Sequence, residues 1–136
     1  MRRILMLAAL ASIFSSAGAL AETGPAGQYV DLEPVGLPIV DHGELVNYVF
    51  VYVRLNLAPL ADLSRARDKE PFFRDALVRD AHRTPFTKPG DWQHIDQARL
   101  SAAMMREAQA IAGPGVVTSV VVTSEQPQKH VVAPRP

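Results

Sequence analysis

The chain contains no cysteine. That removes disulfide staples, thiolate nucleophiles, thiolate metal ligands and lipid attachment at a thiol, so stability has to come from burial alone. Charge of one sign is also lacking in excess: 14 Lys and Arg stand against 14 Asp and Glu. The basic residues alternate with acidic ones, as in Arg65, Arg67, Asp68, Lys69 and Glu70, instead of pooling into a stripe. Such a surface has no electrostatic pull toward nucleic acid. Beyond the first 21 residues, no stretch approaches the roughly 18 to 20 apolar residues that a bilayer-crossing helix needs. Tryptophan occurs once, at Trp92.

What is present begins with a leader. Met1-Arg2-Arg3 is a short positive segment, Ile4 to Phe14 is an uncharged and mainly apolar run, and Ala19-Leu20-Ala21 is a small-x-small cleavage site before Glu22. Residues 1–21 therefore read as a signal peptide for the periplasm. Left uncleaved, Ile4 to Ala21 would anchor the domain to the inner membrane, and membrane contact is expected only in that case. Without the leader 115 residues remain, with 12 basic against 14 acidic side chains. That is enough chain for one small domain with one core.

Leu45 to Leu57 alternates with a period of two. Leu45, Val49, Val51, Val53, Leu55 and Leu57 form a core face, with Asn47 the exception. Tyr48, Phe50, Tyr52, Arg54 and Asn56 form the other, aromatic at first and polar later, which suits a strand partly covered by a helix. A less regular strand, Gln28 to Val40, is interrupted by Pro34 and Pro38, which place it at a sheet edge or around a bulge. Asp41-His42-Gly43-Glu44 reads as the hairpin turn joining the two antiparallel segments.

The period then changes to about 3.6. Pro71 to Arg83 predicts a helix whose buried stripe is Phe73, Ala76, Leu77 and Ala81, ended at Thr84-Pro85. Thr84 to Gly90 is a turn-rich link. A second helix, from Asp91 or Asp96 to Ala112, buries Leu100, Ala103, Met104, Ala108 and Ile111 and stops at Gly113-Pro114-Gly115. Val116 to Ser124 is a last strand, and residues 127–136, with Pro127, Pro134 and Pro136, form a flexible tail. The class is α+β, a small antiparallel sheet with two amphipathic helices packed on it.

A search for chemistry finds no catalytic set. His42, His82, His94 and His130 are scattered over turn, helix, link and tail, without the spacing that puts two ligands on one helical face. Ser64, Ser101, Ser119 and Ser124 lack a strained glycine-flanked elbow. Gly113 and Gly115 lack the lysine and following helix of a phosphate loop. The sequence reads as a non-enzyme with no cofactor and no metal. Trp92 is either a partner anchor or a core residue beside a helix start. Arg74-Asp75 is either a contact to a neighbouring subunit or a solvated pair with Arg74 bridging to Glu70. Arg54, emerging from an apolar strand, is a further interface candidate.

Several pieces in order resemble the flagellar basal body-associated FliL family. They are Tyr29-Val30-Asp31-Leu32-Glu33-Pro34, the long Leu45 to Leu57 strand, the Pro71 to Val78 helix start, the Thr84 to Gly90 link and the Val116 to Gln126 strand. The resemblance spans residues 28–126. It implies a periplasmic domain similar to the stomatin and prohibitin fold, without a catalytic centre, that assembles around flagellar stator units or the basal body and forms homo-oligomers. Family members typically keep an uncleaved membrane helix where this chain has its leader. A reading from a different class is a periplasmic small-ligand or lipid-binding module, in which Tyr48, Phe50 and Tyr52 line a pocket. It fails if Leu77, Leu100 and Met104 cover those rings.

Overall fold

One long strand is the spine on which everything else is arranged. The computed structural model describes residues 27–130, so the leader at residues 1–21 and the last six residues of the expected tail lie outside the described residues. The elements are β1 (Tyr29–Asp31), β2 (Val35–Asp41), β3 (Glu44–Leu57), α1 (Leu63–Asp68), α2 (Glu70–Arg83), β4 (Thr87–Lys88), β5 (Asp91–Ile95), α3 (Gln97–Ala112) and β6 (Val117–Pro127). On one side β3 pairs antiparallel with β6 along most of its length; on the other it pairs with β2 over its first half and β1 over its last residues. The class is α+β, with a small antiparallel sheet and, among the described residues, three helices rather than the two expected. None of these helices is long and apolar enough to cross a membrane.

The irregular first strand divides at Pro34 into β1 and β2, while Pro38 stays inside β2 opposite Tyr48. The Tyr48 carbonyl accepts from the Gln128 N–H on the β6 side at 2.8 Å. Tyr48 and Pro38 are therefore a non-hydrogen-bonded pair, and the missing N–H of the proline faces away from the ladder. The β2–β3 turn falls on the expected residues, with His42 at φ 48° and Gly43 at φ 79°. Two consecutive positive φ values match the right-handed twist of a two-residue hairpin.

The core lies on the valine face of β3. Val49, Val51, Val53 and Leu55 are buried together with Phe73 and Leu77 of α2 and Leu100 and Met104 of α3. Each such side chain contributes roughly 1.5–3 kcal/mol by leaving water. The expectation of helix cover on the aromatic face is corrected by this arrangement. Leu77, Leu100 and Met104 sit on the opposite face from Tyr48, Phe50 and Tyr52, and Phe50 keeps 41% of its surface exposed. One stripe per helix suffices for one sheet face, and the valine face has more apolar area to bury.

Leu45 is a second correction. A register shift sets Ile39 opposite Asn47 but Val40 opposite Leu45, leaving Val46 as the extra residue. The bulge reverses the alternation, so Leu45 is 53% exposed while Val46 packs against the core.

Three further differences concern boundaries. α1 leaves no periodic signal in the sequence, because its single buried residue, Ala66, makes no stripe. Asp91–Ile95 is a strand paired with β4, and α3 starts after Asp96, whose carboxylate accepts the Arg99 N–H at 3.1 Å as an N-cap. The last strand runs on to Pro127, and the backbone of Lys129 is held by Asn47 through both its N–H and its carbonyl. The flexible tail therefore does not begin at residue 127.

Candidate interaction surface

The face of the sheet turned away from the helices carries Tyr48, Phe50, Tyr52, Arg54 and Asn56 in a row along β3. Neighbouring strands add Tyr29 and Asp31 from β1, Gly36 from β2, and Ser119, Val121 and Gln126 from β6. Alternation along β3 and the pairing register of its neighbours together fix which residues share this face. Tyr29, Phe50 and Val121 are its exposed large apolar side chains.

Arg54 is locked in place. Its Nε donates to Asp31 Oδ1 at 2.7 Å and its Nη2 to Asp31 Oδ2 at 2.9 Å, while the guanidinium carbon lies 3.7 Å from the centre of the Tyr29 ring. β1–β3 pairing sets Asp31 opposite Arg54 and produces this fork. The hydrogen bonds from Arg54 hold the Asp31 carboxyl below the usual aspartate range and raise the arginine in turn.

Next along the row, the Phe50 ring lies over Gly36. A Cβ at Gly36 would come 3.3 Å from Phe50 Cε1, so the absent side chain gives the ring a flat seat on the neighbouring backbone. The Asn56 amide donates to Ser119 Oγ at 2.9 Å. At two bulges of β6, Thr118 and Thr123 donate their hydroxyls to the Asn56 and Tyr52 carbonyls at 3.2 Å. The result is an aromatic patch beside an ordered, charged one.

The other sequence candidates do not join this face. Arg74 reaches Glu33 at 2.6 Å and Glu70 at 3.9 Å, and Glu70 also accepts the Glu33 N–H at 3.0 Å. That network ties the β1–β2 connection to α2, so the solvated Arg74–Glu70 bridge is present with Glu33 added. It borders an open cleft of about 410 Å³ lined by Tyr29, Val30, Asp31, Glu33, Arg67 and Glu70. Asp75 turns to Arg79 instead, so Arg74 and Asp75 do not act as a unit.

Trp92 lies at the other end, half-buried against the core. Its Nε1 donates to Asp41 Oδ2 at 3.1 Å and its carbonyl accepts from Asn47 Nδ2 at 2.8 Å. That is a structural role. Beside it, Asp91 is pushed up by partial burial but more strongly pulled down by the N–H groups of Gln93 and His94 and by the His94 ring, leaving its pKa lowered.

Asp31 and Gly36 were not singled out by the sequence as partners of Arg54 and Phe50. They lie 23 and 14 residues away along the chain, and only the pairing register brings them together. Among the described residues, no three His, Asp or Glu side chains gather so as to hold a metal ion. No protein-family model matches this chain, and no curated protein matches it significantly.

Proposed function

We propose that the chain is a non-catalytic, exported interaction protein of FliL-like type that associates with the flagellar basal body or stator units and contacts them through the outer sheet face. The finer fold reading, a stomatin- and prohibitin-like domain, belongs to the same proposal. The observation that carries it is the bare aromatic face of β3 with Arg54 already fixed by Asp31 and Tyr29. Aromatic and arginine side chains dominate the binding energy of protein interfaces, and an arginine ordered before binding loses little entropy on contact. The ordered resemblance over residues 28–126 supports the choice of partner.

Two experiments test this reading. A photo-reactive side chain in place of Phe50 in cells should crosslink to a basal body or stator component, and Phe50→Asp with Arg54→Glu should abolish the same crosslinks from position 52. Deletion of the gene should reduce swimming in soft agar. Unchanged swimming with normal basal bodies would remove the motor assignment.

A further inference from the structure

The sheet ends on one side in a bare edge. Among the described residues, β6 pairs with β3 and with no other strand. The Leu32 N–H donates to the Val53 carbonyl and the Leu57 N–H to the Gln28 carbonyl, so the odd-numbered residues of this part of β3 bond toward β1 and the even-numbered ones toward β6. Arg54 and Asn56 stand opposite Val121 and Ser119, while Val53 and Leu55 stand opposite Val122 and Val120. Ser119 and Val121 therefore bond inward to β3, and Val120 and Val122 turn their N–H and carbonyl groups to the outside of the sheet. No other group among the described residues bonds to them there.

Edge strands are ordinarily guarded against other chains by brevity, proline or charge. The opposite edge of this sheet is guarded: β1 has three residues, Pro38 lies within β2, and the Val40 N–H is taken by Thr87 Oγ1 at 3.1 Å. β6 has 11 residues, and from Val117 to Ser124 it carries neither charge nor proline. Its charged side chain, Glu125, accepts the Ile95 N–H at 3.2 Å and is thereby turned toward β5. The bulges at Thr118 and Thr123 bracket the stretch from Ser119 to Val122 and leave it regular.

This strand is self-complementary. Thr118-Ser119-Val120-Val121-Val122-Thr123-Ser124 is nearly symmetric about Val121. Antiparallel pairing centred there sets valine against valine and hydroxyl against hydroxyl, with no like charges opposed. We infer that β6 pairs with β6 of a second copy of the chain across a two-fold axis at Val121. Val120 of each copy exchanges its outward N–H and carbonyl bonds with Val122 of the other. Val121, 44% exposed in the single chain, meets its own counterpart at a non-hydrogen-bonded position, where facing side chains come closest. The same patch serves both sides, so the contact closes on itself and joins the two sheets into one. It uses the edge of the sheet and stands whichever protein the outer face meets.

Because the chain has no cysteine, single cysteines report the register. In the full chain, Val121→Cys puts two thiols on a pair whose Cα atoms are about 4.5 Å apart, within disulfide range. Ser119→Cys separates the thiol-bearing positions by more than about 13 Å along the strands. Mild oxidation should convert most of the Val121→Cys protein into a covalent dimer on a non-reducing gel and leave Ser119→Cys monomeric. Sedimentation velocity of the parent should show a dimer that dissociates on dilution. Val121→Lys and Val121→Glu should each sediment as a monomer where the parent is paired, because like charges then meet on the axis, and an equal mixture of the two should recover the dimer. Position 121 is exposed, so the circular dichroism of both variants should match that of the parent. A parent that stays monomeric, a Val121→Cys protein that does not crosslink, equal crosslinking at position 119, or an undiminished Val121→Lys dimer each overturns the inference. A link from position 121 to a different protein, with none between copies, assigns the edge to a foreign strand and overturns the self-pairing.

Discussion

Arg54 grips Asp31 from the adjacent strand with two parallel hydrogen bonds of 2.7 and 2.9 Å, on a face of the sheet that none of the described helices covers. The fork joins the last residue of β1 to the strand at the centre of the sheet, and it stacks against Tyr29 two residues earlier. The same contact therefore staples a three-residue strand and orders the charged half of the candidate surface.

The pH dependence of that contact has a definite sign. The carboxyl of Asp31 is lowered by the hydrogen bonds from Arg54, so its stabilising contribution is fully present above the unfolded-chain value of about 3.9 and is lost as pH falls through the lower folded value. In a carboxyl carbon NMR titration, Asp31 should have a midpoint below the ordinary aspartate range, and Arg54→Met should bring it back into that range. Urea melts should show Asp31→Asn less stable than the parent at about pH 7, with the difference shrinking as pH falls below the ordinary aspartate range. An unchanged midpoint in Arg54→Met would mean that the fork is not formed in solution.

Asn47 is the buried polar side chain of the core face, 4% exposed. Its Nδ2 donates to the Trp92 and Lys129 carbonyls, and its Oδ1 accepts from the Tyr48 and Lys129 N–H groups. Three segments thus meet on one amide. Asn47→Ala leaves the buried partners without their bonds and should cost about 2–3 kcal/mol. Proteolysis at Lys129 should also become faster than in the parent, because the end of β6 loses its clasp.

Neighbouring positions of β3 should respond in opposite ways. Val51 is 1% exposed among α2 and α3 residues, so Val51→Asp buries an unpaired carboxylate and should cost more than about 4 kcal/mol, enough to unfold a domain of this size. Phe50→Asp, on the bare face, should change stability by less than about 1 kcal/mol. Circular dichroism melts of the two variants check the assignment, and a cooperative melt of Val51→Asp would reverse it.

The periods of two and 3.6 in the sequence carried most of the architecture. Val49 to Leu57 reads as a core face because alternate side chains point the same way, and Phe73, Ala76, Leu77 and Ala81 read as a stripe for the corresponding helical reason. Alternation says which residues share a face but not which face the helices choose, so the aromatic row was expected under a helix. Bulges were illegible for a related reason: Val46, Thr118 and Thr123 become extra residues only when a partner strand sets the register. Asp91–Ile95 was ambiguous with a helix start because five residues are too few to separate the two periods, and α1 has only Ala66 to bury. The Arg54–Asp31 fork could not be read without the β1–β3 register, whereas Arg74–Glu70 could, since residues four apart on a helix are neighbours.

The hairpin turn offers a stabilising substitution. His42 sits at φ 48°, in the left-handed region where a branched or bulky side chain pays a steric cost, and the following Gly43 adopts φ 79° with open space around it. Asparagine tolerates this conformation best among residues with a side chain, and Asn-Gly is the preferred pair for a two-residue hairpin with both φ values positive. The His42 ring makes only a 3.7 Å approach to Asp41 and is 94% exposed, so little is lost with it. His42→Asn should therefore stabilise the domain by about 0.5 kcal/mol, raising the melting temperature by a few degrees. Gly43→Val should do the reverse and cost about 1–2 kcal/mol, because a β-branched residue is forced into the same left-handed region. Thermal melts of the two variants beside the parent would check both signs, and a His42→Asn protein that melts lower would show that the turn has a different geometry in solution.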